Sequence, residues 1–313
     1  LFGRLEAIWS GHPAYPTTLL VAVGIGLTLI AFVFLPWRLE PEPDGLPWEV
    51  DDRPPSGPRG AEPPTVGAGH RGRRIAGRVL LAVLAVALVG FLAWLQPFAA
   101  GADAMAAIDS DAAVTVVDTP TTIELRPGSA TPTVGLVFSP GARVDSRAYV
   151  GLLRPAAAAG FLVVILKEPY GLAIVAPGQS GTPIAEHPEI ATWAVGGHSL
   201  GGTAAALFAG DNLATVKGLL LWASYPGNDL SAAGALQVTS IFGSNDLLAP
   251  PASIENSRSK LPSSTVFVEI KGGVHAFFAD YGEQPGDGQP SVDRATASKE
   301  ISAATVAFLQ RLR

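Results

Sequence analysis

The sequence predicts an α/β domain, a mostly parallel sheet with helices on both faces, preceded by two apolar helices. Residues 18–35 and 79–95 are uncharged and long enough to match a membrane span. From about residue 113 the pattern changes to short, continuous apolar runs alternating with helical ones, as in strands covered on both faces by crossover helices. A serine, an aspartate and a histidine each fall just after one of those runs, where parallel sheets present their reactive groups.

Composition supports the two-part reading. The 313 residues are 48% hydrophobic and only 15% charged, with a mean hydropathy of +0.32. That is more apolar than one ordinary soluble domain, so membrane segments are expected. A net charge of −6 argues against a nucleic-acid partner. The chain has no cysteine, which excludes disulfides, thiol chemistry and cysteine-ligated metals.

Taken in order, residues 1–36 hold the first span, bracketed by Trp9, Tyr15 and Trp37, aromatic residues that suit the headgroup region. Residues 37–78 are rich in Pro, Gly and acidic residues and read as a mostly disordered loop. The second span, 79–95, carries Trp94 near its far end. Arg71, Arg73, Arg74 and Arg78 stand before it, and no basic residue follows until Arg126. Basic flanks stay cytoplasmic, so the loop is expected inside the cell and everything after the second span outside it. Residues 96–112 read as a linker, in which Ala102-Asp103-Ala104 resembles a small-x-small cleavage site. The domain proper is expected over 113–313.

Within it, 114–117 and 121–125 are expected as opening strands joined by a Pro-containing turn, then a buried strand over 133–138. A helix is expected from Asp145, its N-cap, to Ala159, stopped by Gly160. Further strands are expected over 161–166, up to Val195, and over 218–222, 237–242 and 265–270, with helices near 203–209, 252–260 and 291–312.

The strand ending at Val195 leads into Gly197-His198-Ser199-Leu200-Gly201 and then a helix. A G-x-S-x-G corner between strand and helix is a nucleophile elbow, holding the serine hydroxyl proud of the sheet on a strained backbone. Its flanking residues are glycine because strand and helix approach too closely for a Cβ. Asp246 follows the 237–242 strand and His275 the 265–270 strand, giving the chain order Ser199, Asp246, His275. No other histidine lies downstream of Ser199. Asp229, after the preceding strand, is a substitute acid, and His198 is expected to serve packing. Arg143, after the 133–138 strand, reads either as a solvated arginine, the commoner case, or as a contact for an anionic substrate group. Lys167 and Glu168 are given no role, and the 283–288 loop reads as a plain turn or a pocket wall.

These residues resemble a known family. Phe138 to Asp145, Leu162 to Pro169, Gly196 to Gly202, Gly243-Ser244-Asn245-Asp246 and His275 to Gly288 are similar to segments of serine α/β-hydrolases, in particular the compact group related to dienelactone hydrolases. Dienelactone hydrolases proper carry a cysteine where this chain has Ser199. The resemblance implies an α/β-hydrolase fold from about residue 133 onward, with the two spans outside it. It also implies ester hydrolysis in which His275 takes the proton of Ser199 and Asp246 orients the imidazole. An oxyanion would lie between the backbone N–H of Leu200 and a second donor, placed by the resemblance at Ala142, with Gly141 next in line.

The expected substrate is a small-molecule or lipid ester in a fairly open pocket, with no cofactor and no metal. Thioester and lactone substrates stay open. Two other classes remain, a non-catalytic α/β-hydrolase-fold binding domain on a membrane anchor and a transport or assembly component. Since no candidate site residue precedes position 133, a chain starting near Ala106 is expected to keep the whole machinery.

Overall fold

Among the described residues, eight strands form one sheet in the order β1-β2-β4-β3-β5-β6-β7-β8. They are β1 (Val114–Asp118), β2 (Thr122–Pro127), β3 (Val134–Ser139), β4 (Leu162–Leu166), β5 (Thr192–His198), β6 (Val216–Trp222), β7 (Gln237–Gly243) and β8 (Val266–Ile270). β1 pairs with β2 and β2 with β4 antiparallel; the other neighbours are parallel. The protein is seen in a computed structural model that describes residues 2–34, 68–128 and 131–313.

The helices are α1 (Phe2–Ser10), α2 (Ala14–Phe34), α3 (Ala68–Trp94), α4 (Ala102–Ala106), α5 (Val150–Ala158), α6 (Gly181–Glu186), α7 (Leu200–Asp211), α8 (Pro251–Ser257) and α9 (Arg294–Gln310). Asp145 caps the 3-10 turn before α5 by accepting the N–H of Arg147, and Asp293 caps α9 through Thr296.

Side chains of a strand alternate between the sheet's faces, and the core divides accordingly. Leu136, Phe138, Val163 and Ile165 join α5 and α9 residues such as Leu153, Ile301 and Phe308. Val137, Leu162, Val164 and Val195 join Ala205, Ala206 and Ala209 of α7 on the other face. Because apolar side chains are needed on both sides, these strands read as continuous apolar runs rather than as alternating ones.

The chain divides into two compact units, one of Leu1–Thr17 with Leu95–Arg313 and one of Thr18–Trp94. The second unit is helical. Within α3, Ala76–Trp94 is long and apolar enough to cross a membrane by length and composition, and little of it is buried. The expected first span, 18–35, overlaps a shorter apolar helix, Ala14–Thr28, and its side chains beyond Thr28 lie outside the described ones. Most of the expected 37–78 loop lies outside the described residues. Its last part is not loop, however: Arg71 to Arg78 lie on α3, which starts at Ala68. Alanine and arginine are good helix formers without any apolar face.

The boundary of the sheet-bearing unit also differs from expectation. Residues 96–112 are no free linker. Phe98 forms a parallel bridge with Val144, and Ala104 of α4 is buried with its N–H on Asp280. The small-x-small sequence is thus held inside a packed helix. The helix α1 belongs to the same unit, and Glu6 pairs with Arg147 at 2.6 Å.

Candidate active site

Among the described residues, four non-glycine residues have a positive φ: Arg143 (60°), Tyr170 (57°), Ser199 (53°) and Ala223 (43°). They follow β3, β4, β5 and β6, neighbouring strands whose C-terminal ends share one edge of the sheet. Such a backbone costs an L-residue on the order of 1–3 kcal/mol and persists only where the surroundings impose it. Strain therefore marks the edge at which the candidate residues also lie.

Ser199 is the corner between β5 and α7, at φ 53° and ψ −125°. Its N–H donates to the Trp222 carbonyl at 3.0 Å, and its own carbonyl accepts the Ser224 hydroxyl at 2.6 Å. A Cβ on Gly197 would overlap the backbone of Gly201, and one on Gly201 would overlap the carbonyls of Ser139 and Pro140. The first turn of α7 thus abuts the loop after β3, as the elbow geometry requires.

His275 and Asp246 meet at this edge. The imidazole Nδ1 lies 2.8 Å from Asp246 Oδ2, and both side chains are buried. Asp246 Oδ1 accepts the N–H groups of Leu248 and Ala249 at 2.8 and 2.7 Å. With donors on both oxygens, the carboxylate accepts from Nδ1–H, which leaves Nε2 of the neutral ring as a proton acceptor. The His275 ring centroid lies 4.5 Å from that of His198, the residue before Ser199. Asp229 is exposed and accepts the N–H of Ser231 at 2.9 Å.

The main chain at His275 has a brace of its own. Asp287 accepts the N–H of His275 at 3.1 Å, of Ala276 at 2.8 Å and of Gly288 at 2.7 Å. The 283–288 loop is therefore more than a turn. A Gly-Asp-Gly sequence eleven residues after a candidate base was the available signal.

The loop after β3 corrects one expectation. Gly141 gives its N–H to the Tyr149 hydroxyl at 2.8 Å, so it has no donor left for an oxyanion. The N–H groups of Ala142 and Leu200 have no acceptor among the described residues. The Tyr149 hydroxyl, having accepted from Gly141, is also hydrogen-bonded to His198 Nδ1 at 2.9 Å. Burial, and then the charge of His275, hold the His198 pKa well below its ordinary value. His198 packs as expected and also completes this buried chain. Nothing local in the sequence singles out Tyr149.

Arg143 packs against the segment that leads out of α3. Its guanidinium lies 5.2 Å from the ring centre of Phe98 and donates to the Gln96 carbonyl at 3.4 Å. Lys167 is buried and paired with Asp118. Glu168 is buried beside it, and burial raises its pKa to about 7 against the lowering effect of the Ser139 hydroxyl. Among the described residues no group of side chains is arranged to hold a metal ion.

Residues 135–299, more than half of the chain and inclusive of Ser199, Asp246 and His275, match the profile of the Alpha/beta hydrolase family. The chain belongs to the alpha/beta hydrolase family. Among solved structures, this alpha/beta hydrolase is similar to a Thermus thermophilus protein at 16% identity and a TM-score of 0.49, covering 64% of this chain and 98% of that one. It is also similar to a dienelactone hydrolase from Anabaena variabilis, at 17% identity and a TM-score of 0.47, covering 64% of this chain and all of that one. No curated protein matches the sequence.

Proposed function

We propose that this alpha/beta hydrolase is a membrane-anchored serine hydrolase that cleaves carboxylic esters through a covalent acyl-enzyme. Ser199 Oγ attacks the acyl carbon while His275 Nε2 takes its proton. The tetrahedral oxyanion is received by the N–H groups of Leu200 and Ala142. Collapse expels the alcohol, protonated by His275, and water then releases the acid by the same steps in reverse. The observation that carries this reading is a strained elbow serine at the sheet edge where a buried histidine is hydrogen-bonded to a fully buried aspartate.

Two further features favour esters with an apolar part and a membrane anchor. Ile174, Val175, Tyr225, Leu247 and Leu248 are exposed on loops after β4, β6 and β7, at the same edge. An apolar acyl or alkyl group would find contacts there. Residues on either side of Thr18–Trp94 belong to one compact unit, so if α3 crosses a membrane the chain must cross it twice. In this reading the segment over α2 is the partner crossing, and the tendency of basic flanks to stay cytoplasmic, applied to the four arginines before residue 79, favours a hydrolase unit outside the cytoplasm.

Fluorophosphonate labelling and a series of p-nitrophenyl esters of graded chain length test the reading. Ser199→Ala should abolish labelling and turnover, and His275→Ala should lose a similar amount because the groups act as a unit. Undiminished turnover in Ser199→Ala would overturn the assignment. If Asp229→Asn rather than Asp246→Asn damaged the rate, the acid would be misassigned.

A further inference from the structure

Resting on that reading, we infer that the segment leading out of α3 positions the oxyanion-binding loop, with Phe98 and Gly101 as positioning residues for hydrolysis. Phe98 N–H donates to the Arg143 carbonyl at 2.6 Å, and Asp145 N–H donates to the Phe98 carbonyl at 3.0 Å. The two bonds clamp the segment 143–145 from one side. From the other, Arg143 N–H reaches the Gly171 carbonyl at 2.7 Å.

Ala142 is suspended between these anchors. Its neighbour Gly141 is tied through N–H to Tyr149, and its neighbour Arg143 is held at φ 60° by bonds at both its N–H and its carbonyl. A left-handed arginine relaxes when its tethers are cut, and the Ala142 N–H would turn with it. The Phe98 ring below the Arg143 guanidinium closes the same clamp.

The segment reaches the base as well. Gly101 N–H donates to the Asp280 carbonyl at 2.7 Å and Ala104 N–H to its carboxylate at 2.9 Å. The Phe98 ring lies 5.6 Å from that of Tyr281. One stretch of chain therefore spans the loop with the second oxyanion donor and the loop that follows His275.

The test uses the full-length chain in detergent micelles. Phe98→Pro deletes the N–H that holds Arg143. Gly101→Ala is selective in another way: its φ of −75° suits alanine, but the new Cβ would overlap the Asp280 carboxylate. Complete loss of an oxyanion donor lowers kcat about 100- to 1,000-fold. A displaced donor should lower it about tenfold, with KM within about twofold. An alkyl boronic acid, which adds to the serine as a tetrahedral adduct, should lose affinity by the same factor as kcat.

Wild-type kcat and boronate affinity in folded Gly101→Ala and Phe98→Pro would overturn the inference. So would activity lost only in proportion to unfolded protein, with the folded fraction binding boronate normally. Should Phe98→Pro fail to fold, Phe98→Ala keeps both backbone bonds, removes the ring and is read by the same two quantities. Ser199→Ala runs alongside. If it stays active the hydrolase reading falls. If it is dead while the segment variants behave as wild type, only the present inference falls.

Discussion

Side chains at the strand ends are held by acceptors and donors that come in matched sets, and removing one member should be visible. Asp287 takes three N–H groups, including that of His275. Asp287→Asn keeps one carbonyl oxygen in place of two carboxylate oxygens, so it should lose about 1–3 kcal/mol of stability. The fall should appear in kcat more than in KM, read by thermal melts and ester kinetics side by side. Glu168 gives a pH signature. Burial raises its pKa from the ordinary 4.5 to about 7, so the folded chain keeps the proton longer than the unfolded chain. Below pH 4.5 both states are protonated. As pH rises towards 7 the unfolded state ionises first, and stability falls until the folded carboxyl ionises too. Glu168→Gln removes this slope and should be more stable than the wild type at pH 8 by on the order of 3 kcal/mol, with little difference at pH 4. Parallel stability curves for the two proteins would count against the burial argument.

At the level of elements, what could be read in advance was whatever depends on local spacing. The elbow around Ser199 declares itself because three residues of two types, Gly197, Ser199 and Gly201, are needed at fixed offsets where β5 meets α7. Asp246 and His275 declared themselves by standing after apolar runs, and their pairing at 2.8 Å joins the ends of two neighbouring strands. What could not be read depends on contacts between distant parts of the chain. Gly141 had seemed an eligible donor, but its N–H is taken by a tyrosine eight residues on, across a turn whose direction no periodicity reveals. Phe98 and Gly101 looked like linker because their partners are backbone groups of Arg143, Asp145 and Asp280. Tyr149→Phe tests the hidden part. It strands the Gly141 N–H in a buried site, at a cost of about 1–3 kcal/mol, and kcat should fall as the loop loosens. Full activity with unchanged melting would mean that Gly141 finds another acceptor.

On the scale of the whole molecule, the proposed crossing of the membrane makes a physical prediction. Protease added outside intact cells should digest the hydrolase unit, while a tag inserted between Trp37 and Arg74 stays protected; the opposite pattern would reverse the orientation. A chain starting near Ala106 carries Ser199, Asp246 and His275 yet lacks Phe98 and Gly101. It should label with fluorophosphonate more slowly than the full chain and turn over esters with a kcat lowered about tenfold, the scale of a displaced oxyanion donor. Equal rates would show that the sheet holds its edge unaided. The hydrolase unit is also interrupted in sequence, since α1 and its neighbours precede Thr18–Trp94 and everything else follows it. During synthesis α1 is made before the apolar helices, and its partner Arg147 only after them. Glu6 must wait through that interval with its helix unsupported, as an isolated helix this short is marginal in water. On the proposed two-crossing reading, completion of the fold requires both flanks of Thr18–Trp94 to lie in one compartment, and a molecule in which only one of the two crossings formed would carry an α1 with nothing to dock on.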